Sequence, residues 1–441
     1  MRELIAKEEK QFVREHPKSK ALFKRGQSVL LAGVPMSWMI RWAGPFPIFV
    51  ESGRGARITD VDGNTYVDFC LGDTGSMFGH SPKPVVDAVT KQIRNGITMM
   101  LPNEDSIWVG EELGRRFGLP YWQIVVTATD ANRHSIKFAR IATNRSKILV
   151  VNGCYHGGVD EALVSLKGGR VISRVAGAGA PVDPSVTTKV VEFNDLPALE
   201  KALKPRDVAV ALFEPAMTNH GIILPDEGYH DELRRLTRKH GTLLLMDETH
   251  TLSCGIGGYT REHGLDPDII TMGKPIAGGV PVGAYGISQH VADIAHKFLI
   301  DDVDESGIGG TLSGNALSIA AMKATLQKVY TEANFKKTMP LADRFTAGIQ
   351  NAITAEDLPW QVTQLGIRIE YSFMPRAPRN GAEVDAFKDP ELERLMHLTA
   401  LNRGILLTPF HNMALISPYT TKKDVDLHTE VFEESVAALV R

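Results

Sequence analysis

Three cysteines in 441 residues, Cys70, Cys154 and Cys254, are too few and too widely spaced for a disulfide framework. No CxxC pair offers a structural zinc site, so a reducing compartment, by default the cytoplasm, is expected. No apolar run approaches the ~20 residues that a membrane-spanning helix needs. Residues 1–10 (MRELIAKEEK) are charged and carry no apolar segment, so no secretory leader is expected. Charge of one sign is also missing. Lys+Arg is 49 and Asp+Glu is 52, a formal net charge of −3 that argues against nucleic-acid binding by counterion release. The 14 histidines include no HExxH pair and no convincing ligand spacing, so no metal is expected. The stretch Ala176-Gly177-Ala178-Gly179-Ala180 lacks the third glycine of a dinucleotide fingerprint. Pro181 and Pro184 forbid the helix that should follow, so a surface loop is expected and a Rossmann dehydrogenase is disfavoured.

What is present is an ordinary globular balance, 43% hydrophobic and 23% charged. At roughly 150 residues per domain the length corresponds to about three domains, or one large domain with satellites. We divide the chain into 1–70, an N-terminal arm with strands of a small domain, 71–325, a large domain, and 326–441, a C-terminal small domain. Residues 7–24 are charge-rich and read as helix, ended before Pro45 and Pro47. Residues 58–69 read as a hairpin around Asp62-Gly63-Asn64, and 82–93 as a helix with Val85, Val86, Val89 and Ile93 on one face.

Between 120 and 290 short apolar runs alternate with amphipathic stretches. Residues 124–127, 147–151, 208–213, 243–246 and 268–272 read as buried strands, and 130–142 and 229–240 as helices between them. This α/β alternation predicts a mostly parallel sheet covered on both faces, with ligands beyond the carboxyl ends of its strands. Residues 345–353 read as helix, 365–373 and 405–408 as strands, and 422–440 as a closing helix.

Several features fall where such a sheet presents ligands. Asp247-Glu248 follows the apolar run 243–246; an acid there binds a ligand or caps the next helix. Lys274 follows 268–272, beside Gly273, Gly278 and Gly279. A desolvated lysine has a lowered pKa and attacks carbonyls; the bland alternative is a solvated loop lysine. Together, an acid beyond one strand and an amine beyond another suit a cofactor that has a ring nitrogen and an aldehyde. Ala128-Thr129-Asp130 lies between a strand and a helix and could offer N–H groups to a phosphate, or be an ordinary capped turn. Tyr155 could stack on a flat ring or sit in the core. Gly309-Gly310-Thr311 could touch phosphate. Trp38, Arg41 and Trp42 could line a pocket or pack the arm on the core.

Taken together, TATDANRHSIKFAR from Thr127, GCYHGG from Gly153, FEP at 213–215, LLLMDE from Leu243, TMGKPIAGGVPVGAYG from Thr271, GGTLSGN from Gly309 and GDTGSMFGHSP from Gly72 resemble the class III, fold-type-I pyridoxal-phosphate enzymes. The resemblance is to the branch of glutamate-1-semialdehyde aminomutase and the β-amino-acid aminotransferases, over residues 45–440. It implies a seven-stranded, mostly parallel sheet covered by helices, a smaller α+β domain, pyridoxal 5'-phosphate as cofactor, and a homodimer with shared active sites. By position, Lys274 would form the Schiff base and shuttle the proton, and Asp247 would pair with the pyridinium nitrogen. Ala128 and Thr129 would hold the phosphate, Tyr155, beside His156, would stack on the ring, Glu214 would stand near it, and Thr311 would reach the neighbouring subunit's phosphate. Thr249 stands where the family carries an apolar residue against the ring, Thr127-Ala128-Thr129-Asp130-Ala131 stands in place of SGTEA, and Thr251-Leu252-Ser253-Cys254 replaces the usual GFR. Arg41 is the first choice for a substrate carboxylate, with Trp38, Asp73, Thr74, His411 and Asn412 as further pocket candidates.

The expected activity is transfer of an amino group from an amine or amino-acid donor to a keto-acid acceptor. An aminomutase of the glutamate-1-semialdehyde type and an amino-acid racemase or epimerase share the machinery. A silent binding module would have lost Lys274 or Asp247, and both are present.

Overall fold

The computed structural model describes residues 1–174, 182–301, 307–409 and 411–440. The glycine–alanine stretch 176–180 and Phe410 lie outside them. The chain forms two compact units, residues 1–82, 333–377 and 387–441 in one, and 83–332 with 378–386 in the other.

The second unit is built on a seven-stranded sheet. Its strands in chain order are β1 (Tyr121–Val125), β2 (Lys147–Val151), β3 (Thr188–Val191), β4 (Val208–Phe213), β5 (Leu243–Asp247), β6 (Ile269–Met272) and β7 (Gly283–Ile287). The spatial order is β1-β7-β6-β5-β4-β2-β3. Pairings from β6 through β3 are parallel, and β7 runs antiparallel to both β6 and β1. All six residues of β4 and all five of β5 are buried, as expected of strands covered on both faces. Helices Ala128–Thr143 and Tyr229–His240 supply part of that cover, through Phe138, Leu233 and Leu236 among others.

Two of the seven strands are absent from the sequence reading. Gly283–Ile287 (GAYGI) was not assigned as a strand; glycine is depleted in strands. Its glycines answer to close packing: a Cβ at Gly286 would lie 2.6 Å from the Trp122 ring. Thr188–Val191 is too short to stand out by pattern.

In the first unit, the reading of 7–24 as one helix is corrected. Two helices, Arg2–Glu15 and Pro17–Gly26, meet at His16, whose backbone (φ −125, ψ 50) leaves the helical region before Pro17. The hairpin Arg57–Asp60 with Thr65–Asp68 forms as expected, with Gly63 at φ 94. Asp62 in its turn also accepts the backbone N–H groups of Lys18 (2.7 Å) and Ser19 (2.9 Å), capping the second helix. The single strand expected at 365–373 is a hairpin, Gln361–Leu365 with Arg368–Ser372, turning at Gly366 (φ 62). The helix expected at 345–353 extends over Glu332–Ala355 with Pro340 inside it, and the closing helix is Lys422–Val440. Among the described residues no helix is long and apolar enough to cross a membrane.

Candidate active site

β5 and β6 are parallel neighbours, with Asp247 opposite Thr271. The backbone N–H of Glu248 donates to the Thr271 carbonyl at 2.8 Å, so the register holds just past the strand end. Asp247 and Lys274 therefore leave the carboxyl ends of adjacent strands, the side on which such sheets bind ligands.

Asp247 is buried and held on three sides. His156 Nδ1 lies 2.9 Å from Oδ2, Asn132 Nδ2 donates to Oδ2 at 2.9 Å, and the Thr249 backbone N–H donates to Oδ1 at 3.1 Å. Burial by itself raises this carboxyl, but the hydrogen bond and charge of His156, with the Thr249 and Asn132 bonds, outweigh it and bring the pKa down to about 2. Burial disfavours the charged form of His156 in the same way, yet the neighbouring Cys154 and the bonded Asp247 push its pKa up to about 10. The Asp247 carboxyl is thus held anionic at neutral pH. Glu214 is buried as well. It accepts from the Thr218 N–H (3.1 Å) and Asn219 Nδ2 (3.1 Å), and its pKa is raised by burial against the opposing charge of His156.

Asn132 was not among the residues singled out from the sequence. Its Nδ2 also donates to the His156 carbonyl (3.2 Å), and its Oδ1 accepts from Thr271 Oγ1 (2.7 Å). One amide therefore ties the helix Ala128–Thr143 to β5 and β6. The signal was an asparagine on the inward face of a helix, where the side chain is normally disfavoured.

The same helix begins at the other candidate group. Thr127 and Asp130 form a capping box, and the first intrahelical bond runs from Ala131 N to Thr127 O at 3.1 Å. The amides of Ala128 and Thr129 open the helix ahead of that bond, where an N-terminus favours an anion. Neighbouring backbone comes close: a Cβ at Gly283 would stand 2.3 Å from the Thr127 carbonyl oxygen. The Thr129 hydroxyl accepts the Gly158 N–H at 3.1 Å, and a Cβ at Gly157 (φ +77) would lie 2.0 Å from that oxygen. Tyr155 lies half-buried between Cys154 and His156, its carbonyl 3.5 Å from Asn219 Nδ2.

Lys274 opens a short helical turn, Lys274–Ala277, with φ 52. Its Nζ lies 2.8 Å from His250 Nε2. His250 is the second residue that sequence reasoning passed over, although it stands three positions after Asp247. Thr249 is buried, and its Oγ1 has no hydrogen-bond partner among the described residues. Thr311 is exposed beside a cavity of about 540 Å³, which Thr98, Met100, Trp122, Gly309 and Asn315 also line.

The substrate candidates fall in the first unit. The Arg41 guanidinium sits over the Trp38 ring, 5.5 Å from its centroid, and both residues are exposed. Leu71, Gly72, Asp73 and Thr74 form a run of positive φ (46, 61, 48 and 83), and the buried Thr74 hydroxyl accepts from Arg368. Arg368 is a fully buried guanidinium that was not singled out from the sequence. His411 Nδ1 lies 3.4 Å from Glu370 Oε1; burial opposes its charge, but Glu370 and Asp73 raise its pKa. Asn412 pairs with His397 Nε2 at 3.2 Å. Among the described residues no group of three or more His, Cys, Asp or Glu could hold a metal.

This donor set fits pyridoxal phosphate. A buried carboxylate held anionic at neutral pH suits a protonated ring nitrogen, an amine beyond the adjacent strand suits an aldehyde, and a capped helix N-terminus suits a phosphate. Comparison with known proteins agrees. A solved glutamate-1-semialdehyde-aminomutase from Pseudomonas aeruginosa PAO1 is 47% identical, with a TM-score of 0.97 over 99% of this chain and 98% of that one. A lysine-to-alanine variant of it was solved in complex with PMP. An omega-transaminase from Sphaerobacter thermophilus is 28% identical, TM-score 0.86, over 95% and 97% of the two chains. A glutamate-1-semialdehyde 2,1-aminomutase of Chloroflexus aggregans is 32% identical over 96% of this chain and 98% of that protein. The fold and its relatives define a pyridoxal-phosphate-dependent enzyme of fold type I. More narrowly, the chain belongs to the class-III aminotransferase family, whose model matches residues 38–436.

Proposed function

We propose that this enzyme is an aminomutase of the glutamate-1-semialdehyde type, moving an amino group to the neighbouring carbon of one small substrate with no external acceptor. The observation that carries this is the 47% identity, over 99% of the chain, to the Pseudomonas aeruginosa enzyme of that description. This was the second reading of the motifs; transfer to a separate keto acid was the first, and the 28% identity to an omega-transaminase keeps it as the competing reaction.

When bound, pyridoxal phosphate supplies an electron sink for the pair left as a proton departs the substrate carbon. The chain supplies the rest. Asp247, kept anionic by His156 and Asn132, holds the proton of the ring nitrogen. The amides of Ala128 and Thr129 bind the phosphate at the helix N-terminus. Lys274 Nζ tethers the cofactor and, once displaced, carries a proton from one carbon to the other. Tyr155 would cover the ring, with Glu214 near it. Arg41 and the Asp73–Thr74 turn, with His411 and Asn412, remain the proposed substrate contacts. Exposed Ile97, Met99, Met100, Leu101 and Leu312 support a homodimer whose interface covers them and brings Thr311 to the partner's phosphate.

The test supplies glutamate-1-semialdehyde without any keto acid. Stoichiometric conversion to the product aminated on the adjacent carbon is expected, with none in Lys274→Ala. Turnover that requires pyruvate or 2-oxoglutarate would overturn the aminomutase reading in favour of the transaminase.

A further inference from the structure

Lys274 and His250 hold equivalent places beyond the carboxyl ends of neighbouring strands. Asp247 and Thr271 are register partners in the parallel pair β5–β6, and His250 and Lys274 each follow three residues later. The equal spacing brings Lys274 Nζ to 2.8 Å from His250 Nε2. Both backbones are fixed. His250 precedes the helical turn Thr251–Cys254, and Glu248 anchors that stretch by accepting the Tyr259 N–H at 3.0 Å and the Thr260 N–H at 2.5 Å. Lys274 is held in the left-handed region at φ 52. His250 is buried, with 6% of its surface exposed. The other charged groups on its own stretch are Asp247, engaged by His156, Asn132 and Thr249, and Glu248, engaged by Thr251, Tyr259 and Thr260.

A lysine has no acceptor of its own while it is an ammonium, so a 2.8 Å contact to an imidazole nitrogen has one bonding sense: Nζ–H donates to the Nε2 lone pair. That is also the line along which the proton can move. We propose that His250 is the proton partner of Lys274: it takes a proton from the ammonium and leaves the neutral amine that captures the cofactor. An N–H bond breaks at Nζ and forms at Nε2, and the pair stays on Nζ. That pair adds to the aldehyde carbon, and the aldehyde oxygen leaves as water with the two protons still on Nζ. His250 acts through the lysine and is a positioning and proton-holding residue. The inference rests on Lys274 being the cofactor-holding amine.

The test uses the 441-residue chain freed of cofactor. Pyridoxal phosphate is added, capture is trapped with borohydride at timed intervals, and the labelled lysine is identified by peptide mass. His250→Gln keeps an acceptor near the Nε2 position but cannot take up the proton; His250→Ala removes the group and leaves room for free imidazole. At pH 7 capture by His250→Gln is expected about tenfold slower than by the natural chain. Millimolar imidazole is expected to restore the rate in His250→Ala. Near-ultraviolet circular dichroism checks the fold of each variant. Equal capture rates for the natural chain and His250→Gln, or no response of His250→Ala to imidazole, would refute the role of His250 while leaving Lys274 as the labelled residue. Label on another lysine in the natural chain would instead overturn the assignment of Lys274, and this inference with it.

Discussion

Asn132→Leu is the most discriminating perturbation of the site. The leucine has nearly the same volume, so packing around the helix Ala128–Thr143 is retained and only polar partners are lost. Three hydrogen bonds go, to Asp247 Oδ2 at 2.9 Å, to the His156 carbonyl at 3.2 Å and from Thr271 Oγ1 at 2.7 Å. A hydrogen bond to a charged acceptor contributes about 1.5–3 kcal/mol, and a buried hydroxyl left without a partner costs about 1–3 kcal/mol. The expected loss is about 3–6 kcal/mol, read as a fall of roughly 6–12 °C in the unfolding temperature of a domain of this size. Thermal scans at one fixed rate on cofactor-loaded protein make the comparison. Thr271→Val added to Asn132→Leu removes the orphaned hydroxyl and is expected to regain about 1–2 kcal/mol of that loss. The reasoning fails if Asn132→Leu unfolds within a degree of the natural chain, or if the double variant is no more stable than the single one.

Three further outcomes follow from the geometry. Gly157→Ala places a methyl 2.0 Å from Thr129 Oγ1 at φ +77, so pyridoxal-phosphate affinity is expected to fall about tenfold or more, with partial recovery on adding Thr129→Ala; equilibrium titration with the cofactor measures both. Tyr66→Phe removes a hydroxyl that donates to Asp60 at 2.8 Å and lies 2.7 Å from His16 Nε2, at a cost of about 1.5–3 kcal/mol in thermal unfolding; an unchanged midpoint would refute the role of that network. His428 is buried against Phe345, and burial lowers its pKa to about 3 from an ordinary ~6.5. A depressed folded-state pKa adds stability above pH ~6.5 that is lost as pH falls toward 3, so His428→Phe is expected to flatten the acid side of the stability profile by up to about 1.4 kcal/mol per pH unit. Parallel profiles in urea unfolding between pH 7 and 4 would contradict it.

The sequence by itself determined the elements whose local chemistry is self-sufficient. Buried parallel strands must be continuous apolar runs, so β2, β4 and β5 were legible, and so were the acid and the amine that follow two such runs. The capping box at Thr127 and Asp130 is written in adjacent residues. Local rules miscarry where a residue answers to a distant neighbour. Gly283–Ile287 is a strand because Gly283 meets the Thr127 backbone and Gly286 meets Trp122, contacts that no strand propensity encodes. Neither Asn132 nor His250 was assigned a role from the sequence; strand register and helix packing bring one to Asp247 and the other to Lys274. Only the tertiary structure decided the charge state of Asp247, since that follows from which donors reach a buried carboxylate rather than from the carboxylate itself.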